Sequence, residues 1–172
     1  HVQSYGWQAD KFNGMTSGTT GLGKRLEAIK IKVSGAYALG VTYQTHVQTF
    51  GWGDWVADGD LSGTTGQSKR LEAIRIKLTG NDADKFDVYY RVHAQTFGWL
   101  GWAKNGETAG TSGFAKRLEA IQIYVVPKGM TPSTGTSAVS YVQYGRSASK
   151  SDQPGLINYA THVQTYGNQQ FV

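Results

Sequence analysis

Hydrophobic and polar residues alternate along several stretches of the chain with the period of two that is typical of β-strands. In the stretch Arg70–Leu78, Ile74 and Ile76 fall on one face of such a strand. Arg75 and Lys77 fall on the opposite face. The LEAI part of this stretch is also compatible with a helix, but its alternating continuation and its β-rich surroundings predict a strand.

A second strand is predicted upstream, over Val41–Trp52, where β-branched and aromatic residues are dense. The stretch Gly53–Lys69 between the two strands contains an Asp-Gly pair and an S-G-T-T-G run. Such sequences are typical of turns. The predicted unit is therefore a strand, a glycine-rich loop, a second strand, a turn and a third strand.

This unit occurs three times, at intervals of 45 and 47 residues. The copies read HVQSYGWQADKFNGMTSGTTGLGKRLEAIKIKV from His1, HVQTFGWGDWVADGDLSGTTGQSKRLEAIRIKL from His46 and HAQTFGWLGWAKNGETAGTSGFAKRLEAIQIYV from His93. A fourth start, HVQTYGNQQFV, begins at His162 and covers the first strand alone. The predicted organisation is one domain: repeat 1 over 1–45, repeat 2 over 46–92, repeat 3 over 93–161 with an insertion at about 127–154, and a closing strand over 162–172.

Three units and a leftover strand predict an all-β, closed, pseudo-threefold body, because closure removes exposed strand edges. The C-terminal strand is expected to pair near the N-terminal one and to seal the ring. A β-prism is favoured, since G-x-x-x-R-L-E-A-I-x-I resembles the G-x-x-x-x-L-D-A-I-x-V strand of jacalin-like lectins. A β-trefoil also fits three units of this length.

Composition narrows the functional classes. The chain of 172 residues has 23 Gly, 12% aromatic residues and a formal net charge of +5, which favours an acidic partner. It has no Cys, which excludes disulfides, thiolate metal sites and a Cys nucleophile. No apolar run approaches the roughly 20 residues that cross a bilayer, so no membrane span is predicted. No signal peptide precedes His1, and a fragment or a processed product is expected.

The frame H-V-Q-x-x-G-W-x-x-W-x-x-x-G-x-x-x-G-T-x-G-x-x-x-R-L-E-A-I-x-I resembles the clostridial hydrophobic repeat with conserved tryptophan, the ChW repeat. The resemblance covers almost all of the chain outside the insertion. It implies a secreted or surface-attached bacterial protein that binds cell wall, glycans or other surface molecules. Repeat 1 departs from the frame, since Asp10 stands where repeats 2 and 3 have Trp55 and Trp102.

Tryptophans are the first candidates for a ligand site, because the apolar face of a sugar ring stacks on indole. Trp7, Trp52 and Trp99 follow a Gly at a strand end in every repeat, and packing in the core is the favoured interpretation for them. Trp55 and Trp102 lie in the polar loop beyond, where a functional role is favoured. If binding resides in this loop, two good sites are expected rather than three.

Turn residues and charged residues in the repeats have structural explanations. Asp58 and Asn105 each precede a Gly, as a tight turn requires, although their side chains can also face a ligand. The Arg–Glu pair of R-L-E-A-I is expected to be structural, with Glu accepting hydrogen bonds from Arg, His or backbone N–H groups at the junction of modules. The His that starts each repeat is expected to pack on its strand.

Several other functions are disfavoured. G-T-T-G-L-G-K-R in repeat 1 nearly matches a phosphate loop, but it leads into a strand and the other repeats break the pattern. Lys-Arg pairs recur without any nucleic-acid motif. No metal or cofactor site is predicted, and the repeat supplies no convergent polar site for catalysis.

The sequence thus predicts a non-enzymatic, multivalent binding module that recognises glycan or cell-wall polymer in a secreted or cell-surface protein. The alternative is a protein–protein interaction module, or an adhesion or assembly module, of a surface protein, and its partner would be another surface protein. The candidate ligand-binding residues are Trp7, Trp52, Trp55, Asp58, Trp99, Trp102 and Asn105.

Overall fold

The computed structural model describes residues 1–132 and 139–144, together with the backbone pairing of two short strands near the C-terminus. The regular secondary structure of these residues is almost entirely β, as predicted, with a single 3-10 turn at Ala83–Lys85. The strands are β1 (Ser17–Gly18), β2 (Ala28–Ile29), β3 (Gly40–Val47), β4 (Gly51–Trp52), β5 (Val56–Ala57), β6 (Ser62–Gly63), β7 (Leu71–Thr79), β8 (Phe86–Ala94), β9 (Gly98–Trp99), β10 (Ala103–Lys104), β11 (Ala109–Ser112), β12 (Leu118–Pro127), β13 (Tyr141–Gln143), β14 (His162–Val163) and β15 (Gly167–Asn168).

Two long antiparallel pairings form the body of the molecule. Strand β3 pairs with β7 along its whole length, and β8 pairs with β12 in the same way. The strand that leads into the repeat's His therefore pairs with the R-L-E-A-I strand of the same repeat. In repeat 1, Val2 forms an isolated bridge to Leu26 at the corresponding place.

Short strands around the S-G or A-G of each glycine-rich loop join the repeats in a cycle. Strand β6 of repeat 2 pairs with β2 of repeat 1, and β11 of repeat 3 pairs with β7 of repeat 2. Strand β1 of repeat 1 pairs with β12 of repeat 3, which completes the cycle. The predicted pseudo-threefold arrangement is confirmed. In the described part of the chain no sheet closes on itself into a barrel, and the choice between prism and trefoil stays a prediction.

The core lies where the three repeats meet. Leu26, Leu71 and Leu118, the same position of the three repeats, are all buried. The Leu26 amide donates to the Leu118 carbonyl at 2.7 Å, and the Leu71 amide donates to the Leu26 carbonyl at 2.8 Å. Backbone hydrogen bonds thus follow the cycle through the centre of the molecule.

Two buried tyrosines connect neighbouring repeats. The Tyr43 hydroxyl accepts from the Ile31 amide of repeat 1 at 2.9 Å and donates to the Asp60 carbonyl of repeat 2. Tyr90 donates in the same way to the Glu107 carbonyl of repeat 3. Burial raises the pKa of Tyr90, so its phenol stays protonated as a donor.

The loop assignments from the sequence need two corrections. The predicted single strand Val41–Trp52 is two strands, β3 and β4, because Thr49 and Gly51 have positive φ angles of 69° and 78° and turn the chain back. The predicted loop Gly53–Lys69 contains β5 and β6. A two-residue strand is set by a distant partner rather than by its own pattern, so local sequence does not show it.

Two predicted features lie mostly outside the described residues. Of the insertion at about 127–154, the structure describes Pro127 to 132 and 139–144, where β13 runs parallel to β11. Of the predicted closing strand 162–172, only the antiparallel pairing of β14 with β15 is described. None of the described segments forms a helix of the length and apolarity that a bilayer crossing needs.

Candidate functional site

Each repeat holds a buried Glu between an Arg and a His. The carboxylates of Glu27, Glu72 and Glu119 are 5–7% exposed. In repeat 2 the Arg70 guanidinium reaches Glu72 Oε1 with Nη2 at 2.7 Å and Nε at 2.9 Å. His46 Nδ1 lies 3.1 Å from the other carboxylate oxygen. The same three contacts recur at 2.7–3.0 Å in the other two repeats, in His1–Glu27–Arg25 and in His93–Glu119–Arg117.

These contacts confirm the prediction that the repeated Glu accepts from Arg and faces His. For Glu72, burial is the largest single influence and raises the carboxyl pKa. The hydrogen bonds from His46 and Arg70 together outweigh it, and the pKa is lowered from its ordinary value. A carboxylate engaged on both oxygens is part of the fold, with little capacity left for a ligand.

The first tryptophan of each repeat packs against this cluster. His46 meets the Trp52 ring edge to face, with centroids 5.5 Å apart, and His93 meets Trp99 at 5.6 Å. His1 and Trp7 form the same contact at 5.6 Å. Each repeat therefore carries one column of four side chains, Trp, His, Glu and Arg, which we call the tryptophan column.

The tryptophans themselves lie at the surface. Trp7 is 48% exposed and Trp55 is 39% exposed, while Trp52, Trp99 and Trp102 are half-buried. The interpretation of Trp7, Trp52 and Trp99 as core residues is wrong, since the buried core contains none of them.

The glycine before each of these tryptophans explains their position. Gly6, Gly51 and Gly98 have φ angles of 70°, 78° and 70°, a conformation that favours glycine. The turn directs the following ring away from the core. The core positions are filled by aliphatic residues such as Val47 and Leu71.

The second tryptophans have different surroundings in the two repeats that contain them. The Trp102 ring meets Tyr124 edge to face at 5.5 Å, and Arg91 lies over it. Trp55 has the Lys77 ammonium 4.7 Å from its ring centroid. Trp52 and Trp55 of repeat 2 therefore lie beside cations of β7. Trp99 and Trp102 of repeat 3 lie beside a cation of β8.

The predicted turn residues Asp58 and Asn105 tie their loops to the strands β3 and β8. Both have positive φ, 34° and 46°, which confirms the turn interpretation. Asp58 Oδ1 accepts from the Val41 amide at 2.8 Å, and Asn105 Oδ1 accepts from the Val88 amide at 2.9 Å. A shallow open depression, lined by Tyr37 among others, lies beside Asp58. A ligand-binding role for these two residues stays a prediction.

Asn105 is further held by Asp87, which is 2% exposed. Asp87 accepts from the Asn105 amide at 2.7 Å, from the Gly129 amide at 3.0 Å and from Lys104 at 2.9 Å. Burial raises the pKa of Asp87, but these hydrogen bonds outweigh burial and lower the pKa to about 2. The turn of repeat 3 is thereby tied both to β8 and to the start of the insertion.

Sequence reasoning missed the cations that cover the tryptophans. Arg75, Arg91, Lys30 and Lys77 lie over indole rings, and none was a candidate site residue. The alternation of R-L-E-A-I-x-I put Arg75 and Lys77 on the outer face, which was the available signal. The partner ring could not be identified without the register of the strands.

A second surface feature is formed by the aromatic residue one position before each turn glycine. Tyr5, Phe50 and Phe97 are 53%, 60% and 39% exposed. Lys24 lies over Tyr5, and Lys69 lies over Phe50, at 5.7 and 5.6 Å from the ring centroids. We call these three residues the turn-tip aromatics.

Comparison with known proteins identifies the repeat. The family model described as ChW, Clostridial hydrophobic W, matches residues 1–35, 46–80 and 93–127, which together are more than half of the chain. The three matches begin at His1, His46 and His93, the first residues of the three repeats. No curated protein and no solved structure matches the chain.

Proposed function

Because the chain belongs to the Clostridial hydrophobic W (ChW) family, we propose that it is a non-catalytic, multivalent module that binds glycan or cell-wall polymer at a bacterial surface. The observation that carries the proposal is the tryptophan column, repeated three times, with its indole exposed in Trp7 and half-buried in Trp52 and Trp99. Indole rings at a protein surface, next to polar groups, suit the recognition of sugars. We also propose that the parent protein is secreted or attached to the cell surface.

Repetition of the site raises the avidity of such a module for a polymer. Weak sites presented on one rigid body raise the overall avidity without any new contact, provided that a polymer reaches several of them together. The cyclic pairing of the repeats fixes the three columns relative to one another. A polymer with repeating units is the ligand that this arrangement suits.

The non-catalytic part of the proposal is supported by the state of the repeated acidic groups. Glu27, Glu72 and Glu119 are buried and engaged by Arg and His. Hydrolysis of a glycosidic bond needs two carboxyl groups that converge on the bond. These three carboxylates instead belong to three separate columns.

The test is binding to a glycan array and to purified cell-wall polymers. Trp55→Ala combined with Trp102→Ala, and separately Trp52→Ala combined with Trp99→Ala, are expected to weaken binding by about tenfold or more, the range of a lost contact with an aromatic ring. Phe50→Ser combined with Phe97→Ser is the matched control, because it removes exposed aromatics outside the columns. Circular dichroism verifies that each variant is folded.

A protein-docking module is the second candidate, and the turn-tip aromatics favour it. Aromatic residues, Tyr and Phe among them, are enriched at protein–protein interfaces. Absence of binding by the wild-type protein to every sugar and wall polymer would contradict glycan binding. Binding that survives the Trp changes and is lost in the Phe50 and Phe97 variant would assign the interaction to the turn tips.

A further inference from the structure

Every tryptophan of the chain has a cation over its ring. The shortest distance is 4.2 Å, from the Arg75 guanidinium carbon to the ring centroid of Trp52. The other pairs are Lys30 over Trp7 at 5.4 Å, Lys77 over Trp55 at 4.7 Å, Arg91 over Trp99 at 5.0 Å and Arg91 over Trp102 at 4.7 Å. All five tryptophans of the sequence are included, so the pairing is a property of the repeat and not of one position.

The cation changes what a ligand meets at the ring. A guanidinium 4.2 Å from the centroid covers that face of Trp52, and a sugar cannot stack where the guanidinium lies. A ligand that approaches Trp52 from this side contacts positive charge first. Stacking of a neutral sugar is therefore a poorer fit to this face than an ionic contact beside the indole.

Repeats 2 and 3 both have an Arg over their first tryptophan, but the two Arg residues lie on different strands of their pairs. Gln44 of β3 is paired with Arg75 of β7, whereas Arg91 of β8 is paired with Gln122 of β12. In the β3–β7 pair the Gln is on the first strand and the Arg on the second. In the β8–β12 pair the Arg is on the first strand and the Gln on the second. In both arrangements the guanidinium lies over the first tryptophan of repeat 2 or of repeat 3, Trp52 or Trp99.

The exchanged pair also keeps its hydrogen bond. Arg91 Nε donates to Gln122 Oε1 at 2.7 Å. With the Gln44 amide oriented so that its oxygen faces Arg75, the Arg75 Nη1 donates to it at 3.2 Å. What the two repeats have in common is the position of the guanidinium over the ring, and not the residue type on either strand.

These cations lack acidic partners among the residues that the structure describes. Arg75 Nε donates to the Thr108 hydroxyl at 2.9 Å, and Arg91 donates to an amide. The Arg of each R-L-E-A-I motif, by contrast, is paired with a buried Glu. A guanidinium has five N–H donors, so Arg75 and Arg91 keep donors for a further acceptor.

We propose that the ligand of the tryptophan columns is an anionic glycan, whose carboxylate or phosphate groups pair with the cations over the indole rings. Arg75 and Arg91 serve repeats 2 and 3, and Lys30 serves repeat 1. Arg binds carboxylate and phosphate through two parallel hydrogen bonds, and the net charge of +5 favours the approach of such a polymer. The inference rests on the proposed function, of which it names the ligand class.

The first experiment compares polymers on the wild-type protein at low and high salt. The set is a polyuronate, a poly(glycerol phosphate) that carries sugar, a neutral glucan and polyglutamate. The anionic glycans are expected to bind about tenfold more tightly than the neutral one, the effect of one charge-assisted hydrogen bond. Their binding is expected to weaken with salt. Binding of only the polyuronate or only the phosphate polymer identifies which anion is recognised.

Each other outcome has a separate meaning. Equal binding of the neutral and anionic glycans overturns the anionic class and leaves the proposed function standing. Equal binding of polyglutamate shows general attraction to polyanions and also overturns the inference. Absence of binding to every glycan contradicts the inference and the proposed function together.

The second experiment uses the exchange of Arg and Gln that the chain itself contains. In an Arg91→Gln background, Arg75→Gln is expected to lower the affinity for the anionic glycan by about tenfold. Adding Gln44→Arg to that chain returns a guanidinium to the pair from the other strand, as in repeat 3, and is expected to recover most of the affinity. Absence of the loss, or a loss without recovery in folded protein, would overturn the inference.

Discussion

At the scale of single residues, the buried carboxylate of Glu72 makes the stability of the protein depend on pH. Glu72 is 7% exposed and accepts from Arg70, while His46 lies beside its second oxygen. These hydrogen bonds lower its pKa despite burial. Glu72 therefore contributes stability that is fully present above the ordinary carboxyl pKa and is lost as the pH falls through the lowered one.

Substitution of Glu72 measures this contribution. Glu72→Gln is expected to lower the free energy of unfolding by about 2 kcal/mol at neutral pH, because Arg70 is left without its anionic partner. The difference from the wild type should shrink at an acidic pH below the ordinary carboxyl pKa, because the wild-type carboxyl binds a proton as its lowered pKa is approached. Urea unfolding at the two pH values provides the measurement.

The control is Asp54→Asn, which removes an exposed carboxylate of the same repeat and is expected to change stability by less than about 0.5 kcal/mol. An equal loss for Glu72→Gln at both pH values would show that the charge of Glu72 is not what stabilises the column.

Sequence reasoning reached this cluster but not the whole site. A Glu on an inward-facing strand position must be paired, and R-L-E-A-I offered Arg at the right spacing, so these contacts were predictable. The position of the Trp rings was not, because it depends on turn glycines such as Gly51 that rotate the chain outward. The cations were missed because Arg75 and Trp52 meet across β3, β4 and β7, and only their register brings them together.

At the scale of elements, the short strands that join the repeats are the least predictable part of the fold. A Cβ built on Gly63 of β6 would lie 2.4 Å from the Glu27 carbonyl oxygen of repeat 1. Gly18 and Gly110 meet the Glu119 and Glu72 carbonyls in the same way, at 2.3 and 2.4 Å. The S-G-T motif looks like an ordinary loop in the sequence, whereas its Gly is required by close contact with another repeat.

Gly63→Ala tests this junction. The substitution combines a positive φ of 106° with a backbone clash and is expected to cost about 3 kcal/mol of unfolding free energy. Gly59→Ala is the matched control, because Gly59 has a φ of 98° but no atom within 4 Å of its built Cβ. It should cost about 1 kcal/mol. Equal losses in chemical denaturation would mean that the approach of β6 to β2 is not close.

At the scale of the whole molecule, three related units form one cycle but remain unequal. Repeat 1 has Asp10 in place of the second Trp, and its first Trp is covered by Lys30 alone. Repeats 2 and 3 each have two tryptophans beside Arg75 and Lys77 or beside Arg91. The all-β, threefold body was predictable from the repeat, and so was this inequality. We therefore expect two strong sites and one weaker site.

The indole N–H signals of the five tryptophans report directly whether ligand binds at the tryptophan columns and at Trp55 and Trp102. They are assigned by single Trp→Phe substitutions and followed by NMR while a short anionic glycan is added. The account predicts shifts at Trp52, Trp55, Trp99 and Trp102 at lower ligand concentration than at Trp7. Unmoved indole signals in a sample that binds the glycan would contradict it.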